Sequence, residues 1–313
     1  MNEQKIEDAA PALIAGILYG ISYPAIILSL ESFSAYEISL WRSIIGMISL
    51  GIIFRFNKTL ILKKKDFVQI SILSLFGVSI FWILLNLAVE YSSPNEVSLI
   101  LAIYPLFASI IAWRFLKERL TKNNVIGLTF GIMGAGLIFG LTLFEANNSR
   151  HLYGLIGGLG ACVTWSSYVI LSRFFTTRKK MEPNYITFNS FLLAIPILFL
   201  ISMFSPKPEI QPITNSSIIG LIWLGIFSSS IAFLLTTKAL KKNATAKVSS
   251  YLMICPFVTV ISSFIFLDQT PALEQVIGGL LIVTGVIISN RYEVNAINIR
   301  KDITKKRTKA NEL

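Results

Sequence analysis

Ten apolar runs follow one another along this chain, with only short polar loops between them. A helix of about 20 apolar residues is long enough to cross the hydrocarbon core of a membrane. The chain of 313 residues is 54% hydrophobic and 14% charged, which is too apolar for a soluble domain of this size. The sequence therefore predicts an all-α integral membrane protein with ten transmembrane helices. These helices, called spans 1 to 10, are predicted at 11–30, 36–54, 67–89, 96–116, 124–143, 153–172, 185–204, 217–237, 246–266 and 273–291.

The second half of the chain repeats much of the first. Residues 88–138 align without a gap with residues 239–289, and 13 of the 51 pairs are identical, including Pro105 with Pro256 and Gly134 with Gly285. An Ile/Leu-rich composition does not explain matched prolines and glycines. Each copy holds five spans, so the second copy begins on the opposite side of the membrane from the first. Inverted repeats of this kind are typical of transporters.

The basic residues support this orientation. If the N-terminus lies in the cytoplasm, 25 of the 28 Lys and Arg fall in cytoplasmic segments, and only Arg150 and Lys207 fall in outer loops. Such a bias indicates topology, so both termini are predicted to be cytoplasmic. The net charge of +11 is then explained by topology and by anionic inner-leaflet lipids, not by nucleic acid.

Matched loops of the two copies differ in charge. The 114–124 loop carries four Lys and Arg, whereas its counterpart at 265–275 carries none. Inverted halves require this exchange. The predicted organisation is a cytoplasmic N-terminus (1–10), a first repeat (11–143), an outer connecting loop (144–152), a second repeat (153–291) and a basic cytoplasmic tail (292–313).

One stretch carries a family resemblance. The sequence SPNEVSLILAIYPLFASIIAWRFLKERLTKNNVIGLTFGIMGAGLIF contains Pro105, an LKERL segment with Glu118, and then Gly127 and Gly134. It resembles the EamA-type repeat of the drug/metabolite transporter superfamily, and the second copy keeps the pattern except that Gln269 replaces the glutamate. The resemblance implies a ten-helix inner-membrane transporter of small metabolites, working by export or exchange.

Arg42 is the basic residue placed well inside a span. Charges at that depth are costly and usually have a function or a partner. Arg42 either binds a carboxylate or phosphate of the cargo, or has a structural role, bonding helix carbonyls or pairing with Glu37. No Asp or Glu lies mid-span, which disfavours a proton antiporter for cationic drugs.

Polar and aromatic residues at helical spacing give further candidates for a cavity lining. Asn86 faces either a wet cavity or a neighbouring helix, because an unpaired amide should not face lipid. The aromatic residues are either cavity lining or packing. The candidate substrate-binding residues are Tyr19, Tyr23, Arg42, Trp82, Asn86, Tyr104, Trp165, Tyr168, Thr237 and Tyr251.

Pro105 and Pro256 are the candidate hinges. A proline inside a helix removes a backbone hydrogen bond and kinks the chain, and matched interruptions in two halves indicate the binding region. A static kink is the alternative. The small residues of spans 5 and 10 favour close helix packing and are compatible with a monomer or a homodimer.

The sequence thus predicts a secondary transporter that moves amino acids or related carboxylate-bearing metabolites by alternating access. A sugar-phosphate or nucleotide-linked exchanger is the nearest alternative, but such a site should need two or more buried cations. A membrane-embedded enzyme or a channel is less favoured. We expect no catalytic residue, metal or cofactor, since the single histidine (His151) lies in a loop and the cysteines (Cys162, Cys255) lie in different spans.

Overall fold

The computed structural model describes residues 3–116, 122–144, 149–205, 212–243 and 245–288. All regular structure in these ranges is helical, so the all-α membrane fold is confirmed. By length and composition, eight of the described helical segments are long and apolar enough to cross a membrane. Shorter apolar helices at Val125–Leu137 and Leu273–Ile288 lie at spans 5 and 10. Glu118 and the basic tail lie outside the described residues.

The helices of the first half have the following bounds. Span 1 is Glu3–Leu30, span 2 is Ala35–Ile53, span 3 is Phe67–Ser74 with Leu75–Ile80 and Phe81–Tyr91, span 4 is Pro94–Leu101 with Tyr104–Leu116, and span 5 is Lys122–Phe144. In the second half, span 6 is Ser149–Thr177, span 7 is Pro183–Phe204, span 8 is Asn215–Trp223 with Leu224–Ile231 and Ala232–Lys242, span 9 is Thr245–Leu252 with Ile254–Leu267, and span 10 is Leu273–Ile288.

Local sequence signals set where two of these helices begin. Ser34 accepts a hydrogen bond from the Glu37 amide, and the Glu37 carboxylate accepts one from the Ser34 amide at 2.9 Å. Ser93 and Glu96 make the same reciprocal arrangement at the start of span 4, where Pro94 occupies the first turn. Both capping boxes satisfy backbone donors that the first helical turn leaves unpaired.

Contacts between helix ends agree with spans that cross in alternating directions. If successive helices cross the membrane in alternating directions, the two helix ends joined by each contact lie on the same face. The face with the basic loops 54–66 and 178–182 is called the basic face, and the other is called the opposite face. On the basic face, Asp66 contacts Tyr185 (3.0 Å), Lys241 contacts Glu182 (2.7 Å) and Arg173 contacts Asn243; on the opposite face, Glu96 contacts His151 (3.3 Å) and Glu31 contacts Thr214 (2.8 Å).

The helices of the two halves are irregular at matching positions. Span 3 has a π-helical segment at Leu75–Ile80, and span 8 has one at Leu224–Ile231. Adding 151 to residues 75–80 gives 226–231, which lies inside the second segment. Spans 4 and 9 are likewise interrupted, at 102–103 and at 253. The repeat therefore preserves the irregular features of the backbone as well as the helices.

The interruptions differ from a proline kink inside a continuous helix. Pro105 and Pro256 each follow the break and lie in the first turn of the second helical segment. A proline is well tolerated there, because the amide that it lacks has no intrahelical partner. The backbone is broken about one turn before each proline, near Ala102 and Met253.

Spans 5 and 10 pack against each other through matched glycines. A Cβ atom on Gly134 would lie 2.5 Å from the Gly278 carbonyl oxygen, and one on Gly285 would lie 2.6 Å from the Gly127 carbonyl oxygen. Since Gly134 matches Gly285 and Gly127 matches Gly278 in the repeat, the two contacts are reciprocal. The close helix approach that the small residues predict therefore occurs within one chain, across a pseudo-twofold axis.

Candidate functional site

A cavity lies between the two halves, bordered by both helix breaks. It offers about 50 Å³ of water-accessible space, several times what one ordered water needs. Spans 4 and 9 contribute the residues on either side of their breaks. The lining consists of Tyr19, Ser22, Tyr23, Arg42, Phe81, Leu85, Ser98, Leu101, Ala102, Tyr104, Trp165, Ser228, Phe233, Leu252, Met253, Cys255 and Pro256.

Among the lining residues in the described part of the chain, Arg42 alone carries a formal charge. Its side chain is 1% exposed, and its guanidinium carbon lies 4.6 Å from the centre of the Trp82 ring. Nε donates to Ser229 (3.2 Å), Nη1 to Asn86 (3.4 Å) and Nη2 to Ser228 (3.2 Å). All three acceptors are neutral. Among the described residues, no carboxylate lies within 4 Å of this guanidinium, and Glu37 caps its own helix.

Asn86 holds Arg42 from the neighbouring span. Its Nδ2 donates to the Ala35 carbonyl (3.2 Å) and to Ser39 Oγ (2.9 Å), both on span 2. With both amide hydrogens committed, Oδ1 is left to accept from Arg42. The sequence left Asn86 either facing a wet cavity or bonding a neighbouring helix, and these bonds match the second role. They also turn the amide so that its oxygen, and not its nitrogen, faces the guanidinium.

The π-helical segment of span 8 supplies the other two acceptors. Ser228 and Ser229 are adjacent in sequence and fully buried, and both bond Arg42. In a regular α-helix, adjacent residues point about 100° apart, so they rarely serve one group on a neighbouring helix. A π-helical segment rearranges the side chains of one turn and is frequent at functional sites.

The matching π-helical segment of span 3 makes room for an aromatic ring. A Cβ on Gly77 would collide with the ring of Tyr168, so only glycine admits this ring at that position. Tyr168 in turn stacks on Trp165, with ring centres 5.2 Å apart. Both π-helical segments therefore shape the surroundings of the cavity.

An aromatic layer lies beside the cavity on the side nearer the basic face. Phe233 is at its centre and is 1% exposed. Six rings on four spans have their centres 5.2–6.5 Å from that of Phe233. They belong to Tyr19, Phe81, Trp82, Trp165, Tyr168 and Phe191.

The residues singled out from the sequence fall into three groups. Some line the cavity, namely Tyr19, Tyr23, Arg42, Tyr104, Trp165 and Pro256. Others lie behind the lining and contact it, namely Trp82, Asn86, Tyr168 and Thr237, the last through a bond to the Phe233 carbonyl. Pro105 and Tyr251 do not belong to the lining; Pro105 follows lining residue Tyr104, and Tyr251 has the Lys247 ammonium 6.0 Å from its ring centre.

Sequence reasoning missed several lining residues. Phe233 is one of 22 phenylalanines, and Ser228 begins a run of three serines in an apolar span. That serine run was a usable signal, because consecutive hydroxyls are costly in a lipid-facing helix. The alignment of Trp82 with Phe233 was a second signal. Cys255 also lines the cavity, whereas Cys162 is fully buried.

The described residues contain no cluster of three or more His, Cys, Asp or Glu that could hold a metal ion. What the cavity offers instead is one positive charge, several hydroxyls and aromatic faces. The Tyr23 hydroxyl is buried and bonds no partner in the described part of the chain. Such a site suits non-covalent binding of a small anion with an apolar or aromatic portion.

The chain is similar to known transporter proteins along most of its length. The model of the EamA-like transporter family matches residues 10–140 and 152–291, which is most of the chain. An uncharacterized transporter of Archaeoglobus fulgidus is 26% identical over 86% of this chain and 94% of its own length. The uncharacterized transporter YyaM of Bacillus subtilis is 29% identical over 72% of this chain and 74% of its own length.

One relative has a more specific name. A probable terminal-alkyne amino-acid exporter of Streptantibioticus cattleyicolor is 24% identical over 92% of this chain and 95% of its own length. Among solved structures, one crystal structure superposes with a TM-score of 0.63 at 19% identity, covering 90% of this chain and 97% of the other. At that identity the likeness concerns the fold alone.

Proposed function

Because the chain belongs to the EamA-like transporter family, we propose that it is a secondary transporter that carries a small carboxylate-bearing metabolite, of the amino-acid class, by alternating access. The observation that carries this proposal is Arg42, a buried guanidinium in the cavity whose described partners are all neutral. A buried cation without a counter-charge gains most from an anionic ligand.

The guanidinium has donors to spare for such a ligand. Of its five N–H groups, three donate to Ser228, Ser229 and Asn86, which leaves two for a cargo. Arginine binds carboxylates through parallel N–H···O bonds of good geometry. The aromatic rings would receive the rest of the molecule, and the unpartnered Tyr23 hydroxyl offers a further hydrogen bond.

The relative named a probable terminal-alkyne amino-acid exporter supports the amino-acid class and the direction of export. A phosphate-bearing cargo is less favoured, because the described lining contains one cation and a phosphate dianion is better held by several. A membrane-embedded enzyme is also less favoured, since the named relatives are transporters.

The orientation is part of the proposal. In this proposal the basic face is cytoplasmic and carries both termini. The membrane is the cell inner membrane, whose anionic lipids contact the basic loops. The two repeats, 11–143 and 153–291, enclose the cavity between them, in a monomer or a homodimer. Reporter fusions after residue 313 test this: a fluorescent protein should be bright and a periplasmic phosphatase inactive.

The cargo is tested by counterflow with purified protein in liposomes, across a panel of amino acids. We expect saturable exchange of at least one member, and loss of more than about 90% of it in Arg42→Gln, since a hydrogen bond to a charged group is worth about 1.5–3 kcal/mol. Arg42→Lys, which keeps the charge but loses the planar fork, should retain part of the activity. Absence of saturable exchange for every amino acid would reject this cargo class.

A further inference from the structure

Phe233 lies on the side of the cavity that is nearer the basic face. It lines the cavity and packs among six other rings. On span 8, Phe233 is nearer the basic end at Lys242 than Ser228 is. On span 6, Trp165 and Tyr168 lie toward Thr177, and on span 1, Tyr19 lies closer to that face than Tyr23. The ring layer is therefore displaced consistently toward the basic face.

A buried layer of hydroxyl groups lies directly beyond these rings. Thr236 and Thr237 are three and four residues past Phe233, one helical turn closer to the basic face, and both are fully buried. The Tyr19 hydroxyl is 3.1 Å from Thr236 Oγ1, and the Tyr168 hydroxyl is 3.1 Å from Thr237 Oγ1. Two neighbouring threonines of one helix thus tie span 1 and span 6 to span 8.

The hydroxyl layer extends further in the same direction. Thr187 lies near the basic end of span 7, is fully buried, and donates to Thr237 Oγ1 at 3.5 Å. Threonine hydroxyls commonly hydrogen-bond between membrane helices, and here three of them lie together in one layer. A polar layer behind an aromatic barrier is what a polar cargo would need on its way between the cavity and that face.

We propose that Phe233 is the gate of the transport route on the basic face, and that the bonds Tyr19–Thr236 and Tyr168–Thr237 are the latch that keeps it shut. In the closed state the ring layer separates the cavity from the hydroxyl layer. When both bonds break, spans 1 and 6 move away from span 8, Phe233 loses its surrounding rings, and the cavity joins the hydroxyl layer. This inference rests on the proposed function, since a gate has meaning only in a transporter.

Cys255 allows a test that needs no cargo. The chain has two cysteines, of which Cys162 is fully buried and Cys255 lines the cavity. In a Cys162→Ala background, the modification rate of Cys255 by a charged, membrane-impermeant methanethiosulfonate reports how open the cavity is. Vesicles that expose the basic face are identified by trypsin cleavage in the loop at Arg178–Lys180.

Cys255 should react slowly from the basic face in the otherwise unchanged protein. Phe233→Ala should raise the rate about tenfold or more, with Phe233→Leu as the milder variant. Thr236→Val and Thr237→Val keep the side-chain shape and remove the bond to Tyr19 or to Tyr168; Thr237→Val also removes the bond from Thr187. Each should raise the rate about two- to tenfold, the shift that the net contribution of one hydrogen bond gives to a two-state equilibrium. Phe175→Ala is the control: it removes another buried ring, one that packs on Phe174 and belongs neither to the layer around Phe233 nor to the cavity lining, and it should leave the rate unchanged.

Three results overturn the gate. One is an unchanged rate in Phe233→Ala and both threonine variants. Another is an equal increase in Phe175→Ala, which would indicate general loosening of the core. The last is a failure of even a small neutral methanethiosulfonate to reach Cys255 in Phe233→Ala. Because labelling requires no cargo, a failed counterflow assay with intact labelling behaviour would reject the proposed cargo and leave the gate standing.

Discussion

At the scale of single residues, the arrangement of neutral partners around Arg42 is the most informative feature. An arginine that served only to join helices would be expected to pair with a carboxylate or with backbone carbonyls. Here the Asn86 amide, where a carboxylate of nearly the same shape could stand, leaves the positive charge in place. The site thus keeps a charge that its surroundings could easily have neutralised.

Asn86→Asp should therefore weaken anion binding with little change in side-chain shape. The new carboxylate would lie within about 4 Å of Arg42, where opposite charges attract strongly, and would occupy the guanidinium. We expect the KM for the carboxylate cargo to rise about tenfold or more. Exchange assays across cargo concentrations measure this.

A matched variant separates this effect from general damage. Ser43→Ala removes the hydroxyl of a buried serine next to Arg42 on span 2. Because Ser43 does not line the cavity, this variant should leave the KM unchanged. An unchanged KM in Asn86→Asp would contradict a role for the Arg42 charge in binding.

At this scale the sequence is a good guide to charge and a poor one to geometry. Arg42 stands out because a charged residue inside an apolar run is rare and costly. Ser228 and Ser229 do not, because their joint approach to Arg42 depends on a π-helical segment. No local composition in LGIFSSSI distinguishes i→i+5 bonding from an ordinary helix, since that choice is made by packing against spans 1 and 2.

At the scale of helices, the breaks in spans 4 and 9 connect the fold to movement. Near its break, span 4 leaves the Leu101 and Tyr104 carbonyls to accept from side chains of span 6, Cys162 at 3.8 Å and Ser166 at 2.8 Å. Side-chain bonds of this kind can be exchanged, whereas a continuous ladder of backbone bonds resists bending.

Replacing the prolines should make these helices stiffer. Pro105→Ala and Pro256→Ala each restore a backbone donor next to a break, and each should slow cargo turnover severalfold while leaving the KM nearly unchanged. Pro196→Ala is the control, because Pro196 lies inside span 7 with an exposed side chain. Equal turnover in all three variants would show that the prolines are not hinges. Transport rates at saturating cargo decide the matter.

The glycine contact between spans 5 and 10 gives a prediction about stability. Gly134→Ala places a methyl group against the Gly278 carbonyl oxygen, and overpacking of this kind costs about 1–3 kcal/mol. Gly136 is two residues away on the same helix, and a Cβ there would meet nothing within 4 Å. Gly136→Ala should be neutral or stabilising by up to about 1 kcal/mol. Thermal unfolding in detergent should separate the two variants; identical melting would rule out the tight contact.

At the scale of the whole molecule, much of the architecture can be predicted from the sequence, because each span and each loop can be recognised from its own residues. Span length, apolar content and the distribution of lysines each act locally, and together they predict ten spans and two inverted halves. The cavity depends instead on where six or more helices meet. The Phe233 cluster, which combines rings from spans 1, 3, 6, 7 and 8, has no signature in any one stretch.

The two halves should assemble without a covalent link. Expressed as separate chains divided between Phe144 and Ser149, they should associate and purify together, because spans 5 and 10 meet through a close interface and spans 2 and 9 contact the other half as well. Gly134→Ala should weaken this association and Gly136→Ala should not. Halves that stay apart in the membrane would mean that the connecting loop supplies the assembly.

The reciprocal glycine contact also sets a condition on the loops. An interface in which residue i of one half meets residue j of the other, and j meets i, is the kind that two identical subunits form around a twofold axis. Two halves of one chain can form it inside a membrane only if they are inserted in opposite orientations. The difference in Lys and Arg content between the matched loops at 114–124 and 265–275 is what gives each half its own orientation.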